Sequence, residues 1–229
     1  MAETLNIAQF CPETYTLGPG KRSAIWVQGC PFTCPNCVSP DWIPIKPANL
    51  ITVEQLAMRI LSAGDLEGVT LSGGEPMLQA AALASLVRAV RAQRPTLSAI
   101  CFSGFTLEQL RRKSAAERGI EELLGQLDVL IDGLYVERLN NGRGLRGSSN
   151  QRIHFLTPRY QHLREEFEHS PRQVEMQVSP GELLMVGVPS AHTLAAFRRA
   201  AAKLNFRRER PDADGNGLET RRHHGISRE

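Results

Sequence analysis

The sequence predicts an α/β fold built on a parallel sheet, with an antiparallel extension toward the C-terminus. Three observations carry this. Four short apolar or β-branched runs occur before residue 135, helix-periodic stretches separate them, and two later runs flank a Pro-Gly turn.

In chain order, Gly18, Pro19 and Gly20 form a turn feeding a first strand at residues 23–27 (SAIWV). A loop with three cysteines follows at once. Thr52 and Gln55 have capping-box spacing ahead of residues 53–61, where apolar side chains recur at helical intervals. The second strand is GVTLS (68–72), closed by Gly73 and Gly74. Residues 78–91 are Ala- and Leu-rich and helical by both period and propensity. SAICF (98–102) is the third strand, Thr106 with Gln109 caps a helix over TLEQLRRKSAAE, and LDVLI (127–131) is the fourth strand, bounded by Asp132 and Gly133. Such alternation implies right-handed βαβ units. Residues 173–178 and 182–186 then read as an antiparallel pair joined through Ser179, Pro180 and Gly181, and Ser190 caps a last helix to about Leu204. From 206 the chain is charged and Gly-rich without apolar period. The expected organisation is one domain over 1–205 and a disordered tail over 206–229.

At 229 residues, 41% of them hydrophobic, the chain can bury a substantial single core. Its formal charge of +3 is too small a surplus to argue for nucleic acid. The start, MAETLNIAQFCPETY, lacks a basic segment followed by an apolar one, and no apolar run could cross a bilayer. A cytoplasmic protein without membrane association is expected. There an odd count of five cysteines argues against a disulfide framework and for metal or redox chemistry.

Cys30, Cys34 and Cys37 lie as C-x3-C-x2-C within GCPFTCPNC, close enough for one loop to wrap three thiolates around one centre. A structural zinc site wants four protein ligands, and Cys11 and Cys101 form no second pair; a distant His leaves zinc open by counting. An iron–sulfur cubane held by three thiolates keeps one iron without a protein ligand, where S-adenosylmethionine (SAM) can chelate through its amino and carboxylate groups. In LSGGEPM, Gly73, Gly74 and Glu75 end the second strand. Carbonyls exposed there and the Glu75 carboxylate suit the ammonium of SAM, although the glycines could serve the turn alone.

LGPGKRSAIWVQGCPFTCPNC (17–37), GVTLSGGEPMLQ (68–79), FSGFTLEQL (102–110), DVLIDGLYV (128–136) and RGSSNQ (146–151) together resemble radical SAM activating enzymes. These generate the glycyl radical of anaerobic ribonucleotide reductase or of pyruvate formate-lyase, and the last two segments look more like the reductase activators. The resemblance covers about residues 5–156. It implies a partial (βα)6 barrel, a [4Fe–4S] cluster on Cys30, Cys34 and Cys37, and contacts from Gly73, Gly74 and Glu75 to the methionyl ammonium. By the same resemblance Ser103 and Gly104 lie beside the ribose or carboxylate of SAM, Asp132 faces the same cavity, and no side chain of the protein is itself catalytic. Many radical SAM proteins place an aromatic residue just before the third cysteine; Asn36 stands here, with backbone polar groups that could meet adenine edges. The implied partners are a glycyl radical enzyme and reduced flavodoxin or ferredoxin as electron donor. The chain continues past the shared core through Glu175, the Pro180-Gly181 turn and GVPS (187–190), which puts the target in doubt.

Smaller signals are assigned to structure: Cys11 and Cys101 as inert thiols, His154 as a strand-face or hydrogen-bonded residue, Lys21 and Arg22 as a solvated pair with anionic contacts near the site as the alternative, while Arg146 divides between loop and ligand roles. His223 and His224 have no companion ligands. Competing readings are a radical SAM enzyme acting on a peptide or small molecule, and a non-catalytic iron–sulfur or zinc protein.

Overall fold

Strands that present apolar side chains in both directions can be buried only between two layers, and four strands here do so. A computed structural model describes residues 2–179 and 182–203. In it β2 (Arg22–Val27), β4 (Gly68–Gly73), β5 (Ser98–Ser103) and β6 (Val129–Asp132) run parallel, and they match the four strands expected from sequence. Three antiparallel strands flank them. β1 (Thr4–Thr14) pairs with β2, β3 (Asn49–Thr52) pairs with β1, and β7 (Arg152–Phe155) pairs with β6. The order of the seven-stranded sheet is β3-β1-β2-β4-β5-β6-β7. It is therefore an open mixed sheet with three parallel crossovers, and the six βα units of the expected barrel are not present among the described residues.

Helices cover the outer face. Thr52 caps α1 (Val53–Ser62) with the expected box, accepting from Gln55 N while the Gln55 side chain accepts from Thr52 N. A 3₁₀ turn, Pro76–Gln79, precedes α2 (Ala80–Gln93). The helix expected over TLEQLRRKSAAE is shorter. α3 (Leu107–Lys113) stops where the Lys113 carbonyl takes both Ala116 N and Glu117 N, and α4 (Arg118–Leu124) follows, burying Ile120 and Leu123. Ile25, Val27, Val69, Leu71, Ala99, Cys101 and Leu130 meet these helices in the main core.

The inner face carries Ala24, Trp26, Ile100, Phe102, Val129 and Ile131. Its covering comes from later in the chain: Tyr160 in the 3₁₀ turn Pro158–Leu163, Phe167 in α5 (Arg164–His169), and the hairpin of β8 (Val174–Ser179) and β9 (Glu182–Gly187). Val186 is fully buried against Cys11, Leu17, Ala24 and Trp26. The antiparallel extension thus exists as expected, and it is the second layer of the fold. Arg172 fastens its start: the guanidinium donates to the Asn140 side chain and to the carbonyls of Arg143, Gly144, Arg146, Gly147 and Pro189. Ser190 caps α6 (Ala191–Lys203), accepting from Thr193 N at 3.1 Å. The Pro180-Gly181 turn, the tail over 206–229 and His223 and His224 lie outside the described residues.

Arg22 corrects the sequence reading. It is completely buried at the amino ends of the parallel strands rather than solvated, because its position in β2 points it to the inner face. Its Nε donates to Thr70 Oγ1 (2.8 Å), Nη1 to Ser98 Oγ (2.9 Å) and Nη2 to the Val69 carbonyl (2.7 Å). Tyr160 Oη donates to the Glu67 carboxylate and lies 2.8 Å from Ser98 Oγ, and Arg159 pairs with Glu67 at 2.8 Å. Burial lowers the Arg22 pKa, while Tyr160 and Glu67 oppose that shift.

Candidate metal and cofactor centre

Parallel strands deliver their following loops to one edge, and here that edge gathers nearly every residue singled out from sequence. The cysteine loop leaves β2 and returns through the 3₁₀ turn Pro40–Trp42. Its base is closed by Gly29 N to the Trp42 carbonyl and Cys30 N to the Ile43 carbonyl, both 2.9 Å. The buried Gln28 amide adds a bond to the Pro44 carbonyl at 2.7 Å. Cys30, Cys34 and Cys37 are all part-exposed, and Cys37 N donates to the Cys34 carbonyl at 3.2 Å. Burial pushes the Cys30 thiol up to about 11 and raises Cys34, and Glu75, Cys34 and Cys37 add to the Cys30 shift. Among the described residues no three His, Cys, Asp or Glu side chains are gathered closely enough to hold a metal ion. The donor chemistry nevertheless fits an iron–sulfur cluster: soft thiols on one short loop, which must give up their protons as they bind.

The Gly-Gly-Glu turn presses against that base. Gly74 N donates to the Val27 carbonyl and Glu75 N to the Gly29 carbonyl, both 2.8 Å. Gly73 has φ +108°, and a Cβ on it would lie 2.4 Å from Val27 N; one on Gly74 would lie 2.2 Å from the Gly29 carbonyl oxygen. Close passage of two backbones therefore requires both glycines, independently of any ligand contact.

Glu75 is 1% exposed and turned toward β5. Its Oε1 accepts from Met77 N (3.0 Å) and Ser103 Oγ (2.9 Å), and Oε2 from Gly104 N (2.7 Å). Three residues expected at SAM thus converge: Glu75, Ser103 and Gly104. Burial, only partly offset by these neutral donors, pushes the Glu75 carboxyl up to about 7. Gly104 lies under Phe32 of the cysteine loop, whose ring meets Phe105 edge-on at 4.7 Å.

Asn36 takes φ +55°, the single described non-glycine residue in the left-handed region, and its Nδ2 donates to Glu137 Oε2 at 2.7 Å. Asp132, at the carboxyl end of β6, is buried and engaged by its own fold. Its Oδ2 accepts from Leu107 N (2.6 Å) at the start of α3 and lies 2.8 Å from His154 Nε2 and 3.2 Å from Arg152 Nη2. His154 is thus the hydrogen-bonded strand residue its alternation with Ile153 and Phe155 suggests, while Asp132 as its partner and the part of Arg152 were not read from sequence. Arg146 donates Nη1 to the Gln151 carbonyl while its buried Nε has no partner in the structure. Cys11 and Cys101 are buried thiols whose pKa burial raises, away from this loop.

A three-cysteine loop at the carboxyl edge of a parallel sheet defines a single-cluster iron–sulfur protein, and residues 16–154 match the family described as "4Fe-4S single cluster domain". The chain belongs to this family and, within it, to the radical SAM activating enzymes, whose cofactors are a [4Fe–4S] cluster and SAM. It is 32% identical over 160 residues to the anaerobic ribonucleoside-triphosphate reductase-activating protein of Vibrio cholerae, covering 67% of this chain and 99% of that one. Identity is 30% over 159 residues to the protein of the same description from Escherichia coli K12, covering 66% and 99%. The pyruvate formate-lyase-activating enzyme of Staphylococcus aureus is 29% identical over 148 residues, covering 61% of this chain and 55% of that enzyme. Among the described residues no helix is long and apolar enough to cross a membrane.

Proposed function

We propose that this enzyme cleaves SAM reductively and abstracts a hydrogen atom from a glycine of a partner glycyl radical enzyme, as an activator of the anaerobic ribonucleotide reductase kind. One observation carries the reading: the cysteine loop, the Gly-Gly-Glu turn and Ser103-Gly104 meet at one edge of the sheet. When bound, the cluster and SAM supply a one-electron cleavage of the sulfonium that yields a 5′-deoxyadenosyl radical. The chain's own residues hold and shield. Cys30, Cys34 and Cys37 serve as thiolate ligands, and the Gly73–Glu75 segment, fixed to Val27 and Gly29, sets where SAM lies relative to them. A buried carboxylate with only neutral donors favours an arriving cation, which fits Glu75 for the ammonium half of SAM. Asn36 borders the adenine side and Asp132 supports the edge by fixing α3 to β7. Residues 1–205 act as one radical SAM domain, in the cytoplasm, with reduced flavodoxin or ferredoxin as donor.

The test is anaerobic. Reconstituted and dithionite-reduced protein is expected to convert SAM to 5′-deoxyadenosine and methionine, and to raise a glycyl radical signal in an added glycyl radical enzyme. Intact SAM would return the chain to a binding role; turnover without a glycyl signal would favour a peptide or small-molecule substrate, to which the extension past the shared core lends some support. Cys34→Ala is expected to lose cluster absorbance and cleavage together, by on the order of a thousandfold in rate.

A further inference from the structure

Ser148 and Gln151, in the RGSSNQ segment, are buried polar side chains. Buried polar groups find partners, and here the partners lie in one stretch of backbone, the turn that follows β6. Gln151 Nε2 donates to the Gly133 carbonyl (2.7 Å), Asn150 Nδ2 donates to the Leu134 carbonyl (2.9 Å), and Ser148 Oγ accepts from Val136 N (3.0 Å). Three side chains thus hold three consecutive peptide units, 133–134, 134–135 and 135–136. The grip is itself braced. Gln151 Oε1 accepts from Gly147 N (2.7 Å) and Ser148 N (3.2 Å), and a Cβ on Gly147 would lie 3.0 Å from the Tyr135 ring.

The held stretch runs along the cysteine loop. Glu137 Oε2 accepts from Asn36 Nδ2 at 2.7 Å, and Leu134 shares with Phe32 the space over Gly104. Between these contacts the Tyr135 amide meets Cys34: burial raises that thiol, and a backbone hydrogen bond from Tyr135 opposes the rise. Cys30 takes a backbone donor from within the loop, at Phe32. Cys34 draws on one from outside it. In a trans peptide the carbonyl and the amide point in opposite directions, so Asn150 on the Leu134 carbonyl fixes where the Tyr135 amide aims. A bond at one end of a peptide also strengthens the donor at the other.

We propose that Ser148, Asn150 and Gln151 are positioning residues for the iron–sulfur centre: they aim the Tyr135 amide at the Cys34 sulfur and so set how readily the cluster takes up an electron. A donor to a ligand sulfur favours the more negative, reduced state and raises the potential. This deepens the reading above and rests on it in taking Cys34 as a cluster ligand.

The experiment is a redox titration of reconstituted full-length protein under anaerobic conditions, with the reduced cluster followed by electron paramagnetic resonance. It compares the parent with Asn150→Ala, Ser148→Ala and a control, Asn141→Ala, whose side chain accepts from Arg143 N instead. At the parent's midpoint the ratio of reduced to oxidised cluster is expected to fall roughly fivefold in Asn150→Ala, the worth of one hydrogen bond. The fall is about twofold in Ser148→Ala, and the control stays even. Asn150 is exposed, so Asn150→Ala should melt like the parent; a purely structural role would move the melting and leave the midpoint. In cluster-free protein, amide exchange across 133–137 is expected to quicken by about the same factors. Unmoved midpoints in both variants, or parent-like exchange across 133–137 in Asn150→Ala, overturn the proposal. A parent that takes up iron and cleaves SAM while the midpoints stay put sinks this inference alone. A parent that takes up no iron removes the cluster reading and this one with it.

Discussion

Two buried charges sit at opposite ends of the same parallel strands, and the fold treats them differently. At the amino ends Arg22 meets Thr70, Ser98, Tyr160 and the Val69 carbonyl, with Glu67 acting through Tyr160 as counter-charge. At the carboxyl ends Glu75 meets only neutral donors: Met77 N, Ser103 Oγ and Gly104 N. The first end is electrostatically complete and closes the inner face of the sheet at that edge. The second has no positive partner, and burial among neutral donors alone raises its carboxyl pKa. A site intended for a cationic ligand is expected to look like the second.

Breaking the complete end should cost most. Arg22→Leu leaves Thr70, Ser98, Tyr160 and the Val69 carbonyl buried without their donors, and a loss of about 3–5 kcal/mol in urea unfolding is expected. The incomplete end should instead show itself through pH. Glu75 carries a carboxyl raised from 4.5 to about 7, so the folded state holds its proton more tightly than the unfolded chain. Stability is then undiminished below about pH 4.5 and falls as pH rises toward 7, by about 3 kcal/mol in all, in cluster-free protein. Glu75→Gln should flatten that slope, measured as urea midpoints at pH 5 and pH 8, while losing SAM cleavage; an unchanged slope would show that the Glu75 charge is already compensated. Ser103→Ala removes one donor from the ionised carboxylate and should cost about 1–2 kcal/mol at pH 8, less at pH 5. Smallest is Arg159→Ala at the complete end. Its pair with Glu67 is about a third exposed, 32% and 34% by side chain, so about 0.5 kcal/mol is expected in thermal unfolding.

Much of this arrangement was legible in the sequence. The four parallel strands could be read because each is apolar on both faces and gives way to glycine or a polar residue at its end or just past it, and the capping boxes at Thr52 and Thr106 form as read. The cysteines declared themselves by spacing. β1 did not, because its pairing with β2 shifts register between Ile7 and Gln9 and again between Cys11 and Thr14, which scrambles the alternation that marks a strand. Arg22 misled for a related reason: beside Lys21 it looks like a surface charge, and only sheet register shows that it points inward. That Ser103, Gly104 and Glu75 share one edge followed from their places at strand ends. Their direct bonding needed the alignment of β4 with β5, which no local pattern encodes. The layering role of the C-terminal hairpin was likewise invisible, since nothing in VEMQVS or ELLMVG names the surface it will cover.

Arg172 carries a consequence for how this chain can be altered. One guanidinium answers carbonyls at 143, 144, 146, 147 and 189 and the Asn140 side chain, so the loop bearing RGSSNQ is held by a residue that lies beyond the family match, which ends at residue 154. Cutting the chain at the end of that match would strip the loop of its anchor and leave several oxygens to hydrate. Loop and appendage are one mechanical unit in this protein.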